Sequence, residues 1–161
     1  MRAVVQRVRS ASVSVDGAVV GSVGRGIVVL LGIGHGDDER TARHLADRVA
    51  ALRIHDDGEG RMNRDLATSG GGALVISQFT LHADTSRGHR PSFLGSAPPE
   101  QARPLCAVFA DALRGRGLAV DEGVFGAEMH VDIAGDGPVT IVLTAGEPPW
   151  EADAGGAMRR S

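Results

Sequence analysis

Ser77-Gln78-Phe79-Thr80-Leu81 sets two hydroxyls and an amide at the end of an apolar run, Ala73 to Ile76. A serine or threonine hydroxyl becomes a nucleophile only beside a base that takes its proton. This stretch contains no acid and no cysteine, and sequence alone does not place His82 or His89 within reach of Thr80. Two readings stay open. The polar groups are satisfied by neighbouring backbone, or the strand end opens a pocket whose backbone N–H groups hold an oxyanion.

Other reactive-looking residues have simpler explanations. Gly21 to Gly26 is glycine-rich like a phosphate loop, but it precedes a strand rather than a helix, which marks a turn. His35-Gly36-Asp37-Asp38-Glu39 resembles a set of hard metal ligands, yet acids at a helix start are what capping requires. His44 and His130 show no ligand spacing and read as surface or edge residues. Cys106 falls on the apolar stripe of a helix, as a small buried hydrophobe does. Thr85 to Pro91, with Arg87 and Arg90, is the one dense basic patch, either a solvated loop or a holder of phosphates. Asp136-Gly137-Pro138-Val139-Thr140 enters the last strand through a Gly-Pro that is a turn or a cis bond.

The elements that must position these groups follow from periodicity. Ser10 to Val15 alternates, and Asp16-Gly17 is a hairpin signal leading into Ala18 to Val23. Ile27 to Ile33 is a strand apolar on both faces, completing a three-stranded antiparallel meander. Residues 37–54 switch to helical spacing, with Ala42, Leu45, Ala46, Val49 and Leu52 on one stripe and Asp37 or Asp38 as N-cap. A polar segment, 56–72, leads into a strand over 73–81, with Ser77 and Phe79 on one side and Gln78 and Thr80 on the other. A second helix fits 98–114, burying Ala102, Leu105, Cys106, Phe109, Ala112 and Leu113, with Pro104 disturbing its first turn. Strands at about 127–134 and 138–144 close the domain, and the small-residue tail reads as disordered. These elements predict an α+β fold, a largely antiparallel β-sheet or barrel with two covering helices.

Bulk properties narrow the function. The 161 residues form one domain with a real core, and the net charge of -3 does not advertise a nucleic-acid binder. A lone cysteine excludes an internal disulfide and a multi-cysteine zinc site, and fits a reducing cytosol. The arginine-studded start lacks the apolar core of a signal peptide, and the longest apolar run, Ile27 to Leu31, is too short for a bilayer. The expectation is a cytoplasmic protein with no membrane segment, metal or cofactor.

Taken together, Val5-Gln6-Arg7-Val8, Ala11-Ser12-Val13, Ser77-Gln78-Phe79-Thr80-Leu81, Arg87-Gly88-His89-Arg90-Pro91-Ser92-Phe93 and Gly137-Pro138-Val139-Thr140 resemble the D-aminoacyl-tRNA deacylases. The resemblance covers residues 1–144, the folded deacylase domain, and leaves 145–161 without a counterpart. It implies hydrolysis of the ester between a D-amino acid and the 3′ end of tRNA, and of glycine from mischarged tRNA. It further implies a homodimer in which a cis Gly137-Pro138 enters the partner's pocket against Ser77 to Thr80, its carbonyls facing the substrate's α-amino group, with Ser77, Gln78, Gly137 and Pro138 binding substrate. Arg7 would fix the orientation of that unit, and backbone N–H groups of Phe79 and Thr80 would stabilise the oxyanion, with the substrate's own 2′-hydroxyl assisting. Arg87 and Arg90 are the positions for tRNA contact. The family usually has Asn two residues before the Gly-Pro; Gly135 stands there, and the loop bearing the clamp is expected to be looser. Two rival classes are a Ser/His esterase of small esters, which would want a G-x-S-x-G elbow, and a non-catalytic tRNA-binding module.

Overall fold

The computed structural model describes residues 1–146. Most of the tail expected to be disordered, 147–161, lies outside the described residues. Ala145 does not: its N–H donates to Met1 O at 3.0 Å, and its carbonyl accepts from the Met1 amino group at 2.8 Å.

Among the described residues, eight strands and three α-helices form an α+β domain. β1 (Arg2–Val15), β2 (Ala18–Val23) and β3 (Gly26–Gly32) come first, then α1 (Glu39–Ala50) and a small hairpin of β4 (His55–Asp56) and β5 (Met62–Arg64). After a one-turn α2 (Leu66–Ser69) come β6 (Gly72–Ser77), α3 (Pro99–Gly115), β7 (Val120–Glu122) and β8 (His130–Thr144). The main sheet runs β2-β1-β3-β6-β7, with β8 on the other edge of β1. It curls until its ends meet, the Ser22 N–H donating to Asp121 Oδ2 at 2.9 Å.

The first three strands are antiparallel as expected but do not form a meander. β1 is about twice the length of β2 and β3, so β2 pairs with residues 11–15 and β3 with residues 2–8. The Asp16-Gly17 turn is where the sequence puts it, both residues at positive φ (50° and 79°) as a type I′ hairpin requires. β6 is parallel to β3, and β7 parallel to β6. The two closing strands are one, β8, interrupted by a bulge rather than a turn.

β3 is apolar on both faces because each face meets a core. One side packs Val5, Val29 and Leu31 against Leu45 and Val49 of α1 and Leu105, Phe109 and Leu113 of α3. The other packs Val28 with Val8, Val13, Leu74 and Ile76 inside the curl. Asp38, not Asp37, caps α1, accepting from Thr41 N at 2.7 Å. Asp37 is buried instead, taking the Met1 amino group at 2.6 Å and the Gly34 N–H at 2.6 Å. α3 runs through Pro104, whose exposed position loses one backbone bond while the buried stripe keeps its contacts.

Candidate active site

The strand expected over 73–81 stops at Ser77. β3 ends at Gly32, and the last rungs on this side are the Leu31–Ser77 pair and the Gln78 N–H to Leu31 O, 2.7 Å. With no partner strand beyond, Phe79–His82 winds into a 3-10 turn. The two-sided alternation over Ser77 to Thr80 therefore does not hold. Gln78 Nε2 instead donates to Thr80 Oγ1. Gly32 makes this packing possible, because a Cβ there would lie 3.0 Å from both Gln78 O and Leu81 Cβ.

The turn leaves two amides at its start without a partner inside it. Its hydrogen bonds include Leu81 N–H to Gln78 O at 3.2 Å and Ala83 N–H to Thr80 O at 3.0 Å. Phe79 and Thr80 precede the first donor, Leu81, so their N–H groups have no partner within the turn. The Phe79 carbonyl is held by Ser96 Oγ at 2.9 Å. Beside the turn opens a cavity of about 530 Å³, walled by Ser77, Gln78, Phe79, Ala97, Phe125 and Met129 among others. Its lining is mostly apolar, with Ser77, Gln78 and Ser96 as the side-chain polar groups.

No histidine hydrogen-bonds to Ser77 or Thr80 among the described residues. His82 is buried, its ring packed where side chains at Gly32 and Gly34 would lie, and burial holds its pKa below the ordinary imidazole value. Cys106 lines the cavity, but burial pushes its thiol up to about 12, which makes it unreactive. His44 and His130 are exposed, as read from sequence.

Arg87 and Arg90 are exposed on a loop closed by paired backbone bonds between Asp84 and Ser92, 2.8 Å each. That loop runs into Phe93, whose ring meets Phe79 edge-on at 5.1 Å. The basic patch is thus attached to the cavity mouth.

Gly137 and Pro138 do not line this cavity. Along the β1–β8 ladder Gln6 pairs with Thr140 and Val8 with Gly135, so residues 136–139 bulge out opposite the single residue Arg7. The Gly137–Pro138 peptide is cis and exposed. Arg7 Nε donates to Asp136 O at 3.0 Å, and its Nη1 donates to Ile54 O at 2.6 Å.

A family profile described as D-Tyr-tRNA(Tyr) deacylase matches residues 4–144, all but a few residues of the described chain. The chain belongs to that family. It is 55% identical over 147 residues to a D-aminoacyl-tRNA deacylase of Thermomicrobium roseum, covering 91% of this chain and 96% of the relative. A relative of the same name from Deinococcus radiodurans is 58% identical over 143 residues, 89% of this chain and 99% of its own. A solved structure titled c-Myc DNA Unwinding Element Binding Protein superposes with a TM-score of 0.85 at 38% identity, covering 91% and 100% of the two chains. A probable eukaryotic D-amino acid tRNA deacylase shares the fold, with a TM-score of 0.77 at 17% identity over 88% of this chain and 97% of its own.

Sequence reasoning quoted Asp136 and Phe93 within its motifs but gave neither a role, and it passed over Ser96. Asp136 sits beside a residue already singled out, and its charge opposite arginines spaced i and i+2 on a strand was a usable signal. Ser96 and Phe93 gave none, because only the fold brings them to Phe79.

Proposed function

We propose that this chain hydrolyses the ester joining a D-amino acid to the 3′-terminal ribose of tRNA, releasing free D-amino acid and tRNA. Family membership makes it a hydrolase of aminoacyl-tRNA esters, with tRNA as substrate. Glycine on non-cognate tRNA is a second substrate, since glycine has no side chain for a chiral filter to reject.

The observation that carries the finer reading is the exposed Gly137–Pro138 bulge, anchored by Arg7 yet lining no wall of its own chain's cavity. A two-fold homodimer would set each bulge against the other protomer's Ser77 and Gln78, making two composite pockets. Half-buried and exposed apolar residues on β8, among them Ile133, Val139 and Val142, suit such an interface. Within the pocket the Gly137–Pro138 carbonyls face the substrate's α-amino group. A rigid main-chain clamp accommodates hydrogen on one side of the α-carbon and excludes an L side chain there.

An aminoacyl ester is already activated, so hydrolysis needs a positioned water and charge stabilisation more than a strong nucleophile. The Phe79 and Thr80 amides receive the developing oxyanion, and the substrate's 2′-hydroxyl assists the attack. Arg87 and Arg90 hold phosphates near the 3′ end. A Ser/His esterase is disfavoured by hydroxyls without a histidine partner. Incubating the protein with D-Tyr-tRNA and L-Tyr-tRNA, and following loss of each ester, tests the reading. D-selective deacylation is expected, and equal or absent loss would refute it.

A further inference from the structure

We propose that Asp136 is a positioning residue, the shared anchor through which two arginines of β1 aim the Gly137–Pro138 unit; this rests on the clamp reading above. Gly135, where the family usually has Asn, pairs with Val8 in the ladder and is exposed, with nothing within 4 Å of where a Cβ would be. It supplies no side chain to hold the bulge. The next residue does.

Asp136 is tied at both ends of its own residue. Its carbonyl accepts from Arg7 Nε at 3.0 Å, and its Oδ2 lies 3.3 Å from the same nitrogen. Its Oδ1 lies 3.5 Å from Arg9 Nε. Arg7 is fixed in turn from the far side, by Ile54 O at 2.6 Å and Asp56 Oδ1 at 3.4 Å, across the chain leaving α1. The Arg7 and Asp136 side chains are 10% and 19% exposed, whereas Arg9 is 78% exposed. The inner pair is therefore shielded from salt and the outer pair is not. Because the Asp136 carbonyl begins the peptide to Gly137, holding it sets the direction in which the clamp leaves the strand. A clamp that is present but misaimed loses discrimination before it loses binding, since only the excluded volume on one side of the α-carbon separates the two enantiomers.

The test compares Asp136→Ala and Asp136→Asn with wild type on D-Tyr-tRNA and L-Tyr-tRNA, measuring kcat and KM separately, with melting temperature as a control for folding. Asp136→Ala is expected to lower the D-to-L ratio of kcat/KM at least about tenfold, mainly through kcat on the D ester. Its melting temperature should stay within a few degrees. Asp136→Asn keeps the shape and a side-chain oxygen that accepts from an arginine, so it should recover part of the ratio. It also guards against Asp136→Ala failing to fold. An unchanged ratio in both variants, with a D-selective wild type, overturns the role given to Asp136 and leaves the clamp standing. A wild type without D selectivity overturns the clamp and this role together.

Discussion

Gly137→Ala puts the backbone argument to its hardest test. Gly137 has φ of 145°, a region that L side chains rarely enter, and an added Cβ would lie 2.4 Å from Val139 N and 2.9 Å from Val139 Cγ2. Contacts under 3.0 Å force something to shift, and here the obstructing atom is backbone, two residues along the chain. Relief must move Val139 and therefore Pro138 between them. The local strain is about 1–3 kcal/mol, modest beside a domain stability of roughly 5–15 kcal/mol, and Gly137 and Pro138 are themselves exposed. The variant should fold. A misplacement of about 1 Å at the reacting centre costs roughly 100-fold in rate, so single-turnover hydrolysis of D-Tyr-tRNA should fall by about that factor. Turnover within about threefold of wild type would refute the reasoning. Mixing extends the test across the dimer: Ala97→Phe fills the cavity from its wall, and each variant alone should be nearly inactive. Refolded together at equal amounts, they should recover roughly a quarter of wild-type activity, because half of the dimers then hold one intact composite pocket. No recovery would place the Gly-Pro unit and the cavity in the same chain's site.

Three further outcomes follow. Thr80→Ala should retain kcat within about threefold, because the amide and not the hydroxyl is assigned to the oxyanion; abolished turnover with intact binding would require a side-chain mechanism instead. Asp37→Ala should destabilise the fold by about 3–5 kcal/mol in urea unfolding, since it leaves the buried Met1 ammonium without its carboxylate. A loss under about 1 kcal/mol would show that the pair contributes little. Burial holds His55 and His82 below the ordinary imidazole pKa, so below about pH 6.5 the unfolded chain binds protons that the native chain does not. Stability should be full above that pH and fall as pH drops toward the folded values. The Asp38 and Asp65 caps, held low by N–H donors from Thr41 and Thr68, titrate in a lower window. Urea midpoints at pH 7.5 and 5.5 check this; a flat profile counts against it.

What sequence made legible was what local chemistry decides. The helix stripes, the Asp16-Gly17 turn and the doubly apolar β3 each depend on residues close together in the chain. Both covering helices lie where periodicity puts them, although α1 is shorter at each end than 37–54. Ala112, read as buried, is only half-buried, and Ala110 takes its place in the core. The misplaced features depend on partners distant in sequence. Ser77 ends its strand because β3 ends, and β8 is one strand because β1 is long enough to template all of it. The deacylase motifs were recognisable as strings, but the contacts of Asp136 with Arg7 and Arg9, which join β8 to β1, were not.

β8 has a further consequence for the dimer proposed above. Met129, just before it, and Val131 wall the chain's own cavity, and six residues past Val131 stands Gly137, which that dimer would offer to the neighbour. At about 3.3 Å per residue that separation is roughly 20 Å. The strand then works as a ruler: its length, not a flexible arm, fixes how far one pocket's floor stands from the other pocket's lid. Deleting one residue between them would turn over the side chains from the cut to the bulge. It would spoil both pockets at once while leaving the residues of each half unchanged.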